Sequence, residues 1–393
     1  MADSAPLIEK GKSDEEVEKR LKDILSISAE CIRIDELREL LKTEDNIVCY
    51  DGFEPSGRMH LAQAVLKSHI VRTLTKNGCH FILWVADWFA KMNHKSGGDM
   101  KKIHRLGEYF IEVWKACGIE ANGNVEFLWA SEVIGKNPQY WELVMDIAQT
   151  FTVSRMTRCS QIMGRSDESS LSGSQILYPC MQCADIFNLG AHICQLGMDQ
   201  RKVNVLAREY GDAKGKKKPI ILSHNMLMGL AEGQAKMSKS NPMSAIFVDD
   251  DPETVTLKIM SAYFPEGTIE ESPLFNWLHF LVLPVMGHMK IGETDYHTFE
   301  EVTAAVEAKT FEWGALKPAM AEAINKMLDP VRAHFQSTPE LRQLKKDVER
   351  IAEENAALRE AELKAAAEEK KKESEEGKAK EEEQSSSSSV PSK

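Results

Sequence analysis

No stretch of this 393-residue chain approaches the roughly 20 consecutive apolar residues that a membrane-spanning helix requires, so a membrane partner is not expected. Met1 to Arg20 mixes Asp3, Glu9, Asp14, Glu15 and Glu16 with its lysines and has no apolar core, which argues against a secretory leader and against an Arg-rich transit peptide. A cytoplasmic protein is expected. Cysteine is too thinly spread for a disulfide or zinc framework: the eight lie at 31, 49, 79, 117, 159, 180, 183 and 194, mostly inside apolar segments. Cys180 and Cys183 form a CxxC, but only His192 and Cys194 lie nearby and no second pair follows at zinc spacing, so packing is expected and no metal site. Positive charge is also lacking. The net charge is -12, and the segment from Gln343 onward, with 11 Lys and Arg against 14 Asp and Glu, leaves the body at -9. Nucleic acid would have to be held by local patches. The candidates are Arg155, Arg158 and Arg165, then Arg201 with Lys202, then Lys214, Lys216, Lys217 and Lys218, the last reading as a solvated loop.

What is present is enough apolar residue, 42%, to bury a full core, and a length that suits two folded domains with extensions. The central stretch runs from Asn46 to Gln63. Ile47 to Tyr50 has the apolar, β-branched character of a buried strand, Pro55-Ser56-Gly57 is turn chemistry with Gly57 free to take positive φ, and Leu61, Ala64, Val65 and His69 then fall at helical spacing. His60 is thereby left near a helix N-terminus, where unpaired N–H groups and the dipole suit phosphates. His80 to Ala86 reads as a buried parallel strand ending at Asp87, a helix follows from about Asp99 to Cys117, and Val125 to Trp129 is a further strand. Such alternation predicts a doubly wound, Rossmann-like α/β parallel sheet with ligands beyond the carboxyl ends of its strands.

Ser13 caps a first helix, with Glu16 in capping-box spacing and Val17, Leu21, Ile24 and Leu25 on one face. A helical insertion ends in the three arginines and passes into the Ser- and Gly-rich 166–173. Pro179 is placed for the first turn of a helix on which Tyr178, Gln182 and Asp185 form one polar stripe among apolar neighbours, like the polar wall of a small-molecule pocket. Ile193 to Leu196 is a strand, and Gly197 and Asp199 at its end suit close backbone approach and ribose hydroxyls. Pro219 to Leu222 is the last strand, and the polar loop Lys236-Met237-Ser238-Lys239-Ser240 follows.

The segments YDGFEPSGRMHLA, LYPCMQCAD, GMDQRK and KMSKS, in that order, resemble tyrosyl-tRNA synthetases of the archaeal and cytosolic eukaryotic type, members of class I, over roughly residues 35 to 335. The resemblance implies activation of L-tyrosine by ATP with Mg²⁺, followed by transfer of the tyrosyl group to tRNA(Tyr). It implies that Tyr50 and Asp185 grip the phenol hydroxyl, that Tyr178, Gln182 and Gln200 hold the α-amino end, and that Gly57, His60, Gly197, Asp199 and Lys236 to Ser240 form the ATP site. His60, Lys236 and Lys239 would be catalytic, meeting charge on the phosphates, and Arg201 and Lys202 would touch tRNA. A homodimer is implied as well.

This sequence departs from the family pattern at several points. Gln63 replaces the second His of the HIGH motif, Ala62 replaces its glycine, and His192 stands where relatives usually carry Asp. The family's anticodon-reading Asp lies in an HPxDLK stretch, and the corresponding residues here are Glu312 to Lys317 with Ala315 at the acidic position. The expected organisation is an N-terminal helical extension over 1–45 and a catalytic domain over 46–245 with an insertion over about 130–173. A helical anticodon-binding-like domain, 246–338, follows, with Pro252 opening one helix and Leu328-Asp329-Pro330 interrupting another. Last comes a charged helical or disordered tail, 339–393, read as a solvated, fraying helix, with a docking arm for a partner or for tRNA as the alternative. A non-charging paralogue and a tryptophanyl relative are the alternative readings.

Overall fold

The computed structural model describes residues 12–120, 123–163, 171–237, 242–361 and 364. A six-stranded sheet is built from β1 (Glu30–Ile32), β2 (Ile47–Phe53), β3 (Cys79–Val85), β4 (Val125–Trp129), β5 (Ile193–Cys194) and β6 (Ile220–Ser223), in the order β1-β6-β5-β2-β3-β4. All pairs are parallel except β1 with β6. The apolar run Ile47–Tyr50 and the almost wholly buried β3 become the centre of the sheet, as continuous hydrophobic strands do when helices cover both faces. Successive strands run outward from β2 on one side as β3 and β4, and on the other as β5 and β6. The order therefore reverses between β2 and β5, and a cleft opens at their carboxyl ends.

The first helix, Asp14–Ser26, is capped by Ser13 accepting from Glu16 N, and buries Val17, Leu21 and Ile24 as the spacing predicts. Other expectations are corrected. The helix carrying the polar stripe begins at Gly173, well before Pro179, because Ser172 and Gln175 make a complete capping box. Pro179 sits inside it and costs one backbone hydrogen bond, tolerated where Tyr178, Cys180 and Met181 are buried on either side. Leu328-Asp329-Pro330 does not interrupt the Trp313–Ser337 helix, which buries Leu328 and Val331 on either side of the proline. A hairpin of Met289–Ile291 with Thr294–Tyr296, and the antiparallel β1, had no signal strong enough to separate them from loop.

One apolar cluster runs from the face of the sheet through the C-terminal helices, joining Leu66, Leu222, Trp277, Leu328 and Ile351. A second, on the other face, includes Tyr50, Trp84, Tyr140, Tyr178 and Met181. The cysteines are free thiols, and no group of three or more metal-ligating side chains occurs among the described residues. No described helix is long and apolar enough to cross a membrane. The tail is helical over 339–361, with Thr338 capping it and Leu344, Val348 and Ile351 buried; it is a docked element over that span, while the low-complexity run beyond lies outside the described residues.

Candidate active site

The turn after β2 is fixed from across the chain. Leu61 N donates to Ile246 O at 2.9 Å, Val248 N donates to Met59 O at 3.0 Å, and His60 bridges Phe247. Arg58 donates to Asp249 at 3.0 Å and to Asp250 at 2.7 Å while lying 4.5 Å over the Phe247 ring. The segment that follows the KMSKS loop is thereby zipped onto the turn bearing His60, which the sequence could not show because almost 190 residues separate them. Gly57 has φ +131 and nothing within 4 Å of the place a Cβ would take, the conformation and the open space expected of a phosphate-facing turn. A single π-turn, Ala62–Leu66, leads from His60 into the Lys67–Lys76 helix.

Across the switch point, Gly197 bridges His224, and a Cβ there would stand 2.8 Å from Asp199 Oδ1 and 2.9 Å from Met226 Sδ. Only glycine fits. Lys236 Nζ reaches Asp199 Oδ2 at 2.8 Å, so the described start of the KMSKS loop closes over the end of β5. Met237 is buried, and Ser238, Lys239 and Ser240 lie outside the described residues.

Between the sheet and the Gly173–Asn188 helix lies a polar wall. Asp185 is 1% exposed and accepts from the Tyr140 hydroxyl at 2.8 Å. Burial pushes its carboxyl well above the usual range, with the Tyr140 hydrogen bond opposing. Tyr50 is equally buried, and burial followed by the nearby Asp185 charge holds its phenol well above the ordinary value. Tyr178 and Gln182 do not act as one pair on their helix. The Tyr178 hydroxyl donates to Glu54 Oε1 at 2.8 Å, whereas Gln182 Nε2 donates to Gln200 Oε1 at 3.2 Å, and Gln200 Nε2 donates to Ile162 O at 2.9 Å. Gln182 Oε1 is buried with no hydrogen-bond partner among the described residues, an acceptor suited to an ammonium group.

Two members of this wall were missed in the sequence, Tyr140 and Glu54. Glu54 stands at the carboxyl end of β2 just before Pro55, the acidic-residue-at-a-strand-end signal that picked out Asp199. Tyr140 lies in the Pro138–Thr150 helix and carries no local signal. Asp87 stands just past the carboxyl end of β3, as expected, and is a buried joint: it accepts from Trp88 N at 2.8 Å and Ser131 N at 2.9 Å and pairs with His104 at 2.9 Å. His192 is removed from the pocket altogether. Its Nδ1 accepts from Val48 N at 3.0 Å at the amino-terminal ends of β2 and β5, and burial lowers its pKa, so it is a neutral peg in the sheet.

A family model described as tRNA synthetases class I (W and Y) matches residues 42–329. The chain belongs to that family. "Tyrosine--tRNA ligase 1, cytoplasmic" of Arabidopsis thaliana is 52% identical over 343 residues, 85% of this chain and 89% of the relative. The Leishmania major tyrosyl-tRNA synthetase in complex with tyrosinol superposes with a TM-score of 0.82 at 45% identity, over 85% of this chain but only 60% of that longer one. The Pyrococcus horikoshii tyrosyl-tRNA synthetase complexed with L-tyrosine gives a TM-score of 0.77 at 30% identity, over 84% and 99%. A tryptophanyl-tRNA synthetase from Aeropyrum pernix, at 19% identity and a TM-score of 0.59, shares the fold.

Five of the candidate RNA contacts are ion-paired, all but Arg155 with well-exposed side chains. Arg201 reaches Glu30 at 2.7 Å, Arg155 reaches Glu209 at 3.0 Å, and Lys214, Lys217 and Lys218 each have a carboxylate. Exposed pairs of this kind are worth about 0–1 kcal/mol, so a phosphate can displace the carboxylate at little cost. Arg165 lies outside the described residues.

Proposed function

We propose that this class I synthetase is a cytoplasmic tyrosine-tRNA ligase. The observation that carries the specificity is the buried Asp185 carboxylate, hydrogen-bonded to Tyr140 and set beside Tyr50 in an otherwise apolar cluster. A phenol hydroxyl satisfies that spot, whereas an indole ring or a phenyl ring leaves it unpaired. At the other end, Glu54, Tyr178 and the orphaned Gln182 Oε1 face the α-ammonium, with Gln200 holding Gln182 in place. ATP is the second substrate and brings Mg²⁺ as its phosphate complex, which needs few protein ligands.

In the first step a tyrosine carboxylate oxygen attacks the α-phosphorus and the bond to the β-phosphate oxygen breaks, giving tyrosyl-adenylate and pyrophosphate. In the second, a ribose hydroxyl of the terminal adenosine of tRNA takes the tyrosyl group and AMP leaves. The substrate supplies its own nucleophile, so the protein contributes position and charge: Gly57 and Gly197 let backbone approach the nucleotide, Asp199 faces the ribose, and His60 with the KMSKS lysines meets the phosphates. Arg201 and Lys202 are proposed to contact tRNA. The exposed Trp141, Met145 and Val153 on the two helices of the insertion support a homodimer through that face.

Exchange of pyrophosphate into ATP, tested with each amino acid in turn, is expected to require tyrosine. Exchange driven by tryptophan, or by none, would remove the reading. Asp185→Ala should lower tyrosine-dependent exchange efficiency by about 10- to 100-fold, the range for a lost hydrogen bond to a charged group, and Tyr140→Phe by less.

Anticodon reading is proposed to be weakened. Ala315 has no acceptor, and Glu312 is already engaged, accepting from Glu293 N at 2.9 Å where it presses against Gly292. A lost base contact is worth about 1–3 kcal/mol, so changing the first anticodon base should reduce charging less than changing the first acceptor-stem pair. A large anticodon effect that Glu312→Ala abolishes would show a relocated carboxylate and overturn the proposal.

A further inference from the structure

The helix at 339–361 docks beside the amino-end wall of the tyrosine pocket. Its apolar side buries Leu344, Val348 and Ile351, while Asp347 pairs with Arg105 at 3.0 Å and Glu354 with Lys102 at 2.7 Å. Both basic partners belong to the Met100–Ala116 helix. Farther along, Asn355 Nδ2 donates to Ser96 Oγ at 3.0 Å, and a Leu358 methyl lies 3.8 Å from where a Cβ on Gly97 would stand.

The turn so contacted is one that would not hold itself. His94, Ser96, Gly97 and Gly98 all have positive φ, 56, 50, 63 and 75, and two of the four carry a Cβ that disfavours that region. From its two sides this turn presents groups to one carboxylate: Asn93 Nδ2 donates to Glu54 at 3.0 and 3.2 Å, and Lys95 Nζ lies 3.5 Å from Glu54 Oε2. Glu54 in turn accepts from the Tyr178 hydroxyl. A continuous set of contacts thus runs from Asn355 through the turn to the carboxylate that faces the substrate's ammonium.

We propose that the 339–361 helix is a positioning element for tyrosine binding, with Asn355 and Leu358 holding the 94–98 turn so that Asn93 and Lys95 fix Glu54 against Tyr178. The inference rests on the tyrosine-activating reading, and it assigns to Asn355 a role exerted through the turn and not on the substrate. Ser96 is 8% exposed and Asn93 3%, so an undocked helix would also admit water to the partners of Glu54. Asn93 and Lys95 reach Glu54 and Asn355 reaches Ser96, whereas Lys236 pairs with Asp199 across the switch point, so the effect should fall on one substrate.

The test uses the full chain, a chain ending at Thr338, and the variants Asn355→Ala and Asn355→Asp. Ending the chain at Thr338 should raise the KM for tyrosine about three- to tenfold, with kcat for exchange and the KM for ATP within about twofold of the full chain. Asn355→Ala should give a smaller rise in the same constant without lowering Tm, and Asn355→Asp, whose carboxylate can accept from the Ser96 hydroxyl, should restore it. Amide hydrogen exchange over 93–98 should quicken in the shortened chain. Unchanged exchange there, or parallel shifts in both KM values and kcat with a lowered Tm, would overturn the proposal. If the full chain fails to bind tyrosine the ligase reading falls instead, and the exchange of the turn still decides whether the helix holds it.

Discussion

Lys236→Ala is expected to slow tyrosyl-adenylate formation by about 10²–10³-fold while leaving tyrosine affinity unchanged, the effect of removing one preorganised group that meets transition-state charge. Its ammonium rests on Asp199 at 2.8 Å, about half exposed, at the mouth of the cleft, and among the described residues it has no hydrogen bond or ion pair to Tyr50, Asp185, Gln182 or Glu54. ATP brings several negative oxygens to the place where one carboxylate now stands, so the lysine has a stronger partner in the complex than in the free protein. Charge on the bridging oxygen grows as pyrophosphate departs, and the contribution is therefore larger in the transition state than in the bound state. Lys239→Ala and His60→Ala should move the rate in the same direction. Single-turnover adenylate formation, with tyrosine binding measured separately, checks this. A variant that binds tyrosine poorly but reacts at the normal rate would place Lys236 in the wrong role.

Lys67→Met is expected to destabilise the fold by about 3–5 kcal/mol at pH 8, the range for breaking a buried ion pair from one side. Lys67 is 1% exposed and ion-paired with Asp51, which is 3% exposed; it also donates to Gln195, whose amide reaches His224 Nδ1 at 3.1 Å. Methionine keeps the stem and strands the carboxylate. Burial already raises the Asp51 pKa to about 6 against the opposing pull of Lys67, and loss of that lysine raises it further. A carboxyl in the unfolded chain has a pKa of about 3.9, so the folded variant holds its proton more tightly than the unfolded one. Acid therefore favours the folded variant, and the destabilisation should shrink from pH 8 to pH 5. Urea unfolding of both proteins at the two pH values is the measurement. An equal loss at both would show that Asp51 is not the group left uncompensated.

Much of the site could be read without coordinates because its residues sit in short stretches whose local physics is strong. The strand Ile47–Phe53, the positive-φ Gly57, the three polar residues of the Gly173–Asn188 helix, and Gly197 with Asp199 all owe their positions to turns and periodicities spanning fewer than ten residues. The Ser13 cap was legible for the same reason. Reading failed where a strong local rule met a stronger neighbour: Pro179 suggests a helix start and Pro330 a helix break, yet the capping box at Ser172 and the buried faces of the Trp313–Ser337 helix carry both prolines inside.

By itself the sequence determined the α/β class, the places where strands hand over to helices, and the motif residues that a tyrosine-activating class I synthetase needs. Tertiary structure alone decided which of these residues face one another. It joined the His60 turn to the segment after the KMSKS loop, set Tyr140 on Asp185 and Glu54 on Tyr178, moved His192 to the far end of the sheet, and folded the 339–361 helix back beside the pocket. The physical reason is range. Periodicity and capping act over a turn or two of chain, whereas a hydrogen bond between residues 124 or 259 positions apart is fixed only by how helices pack on a sheet, and no local pattern encodes that packing.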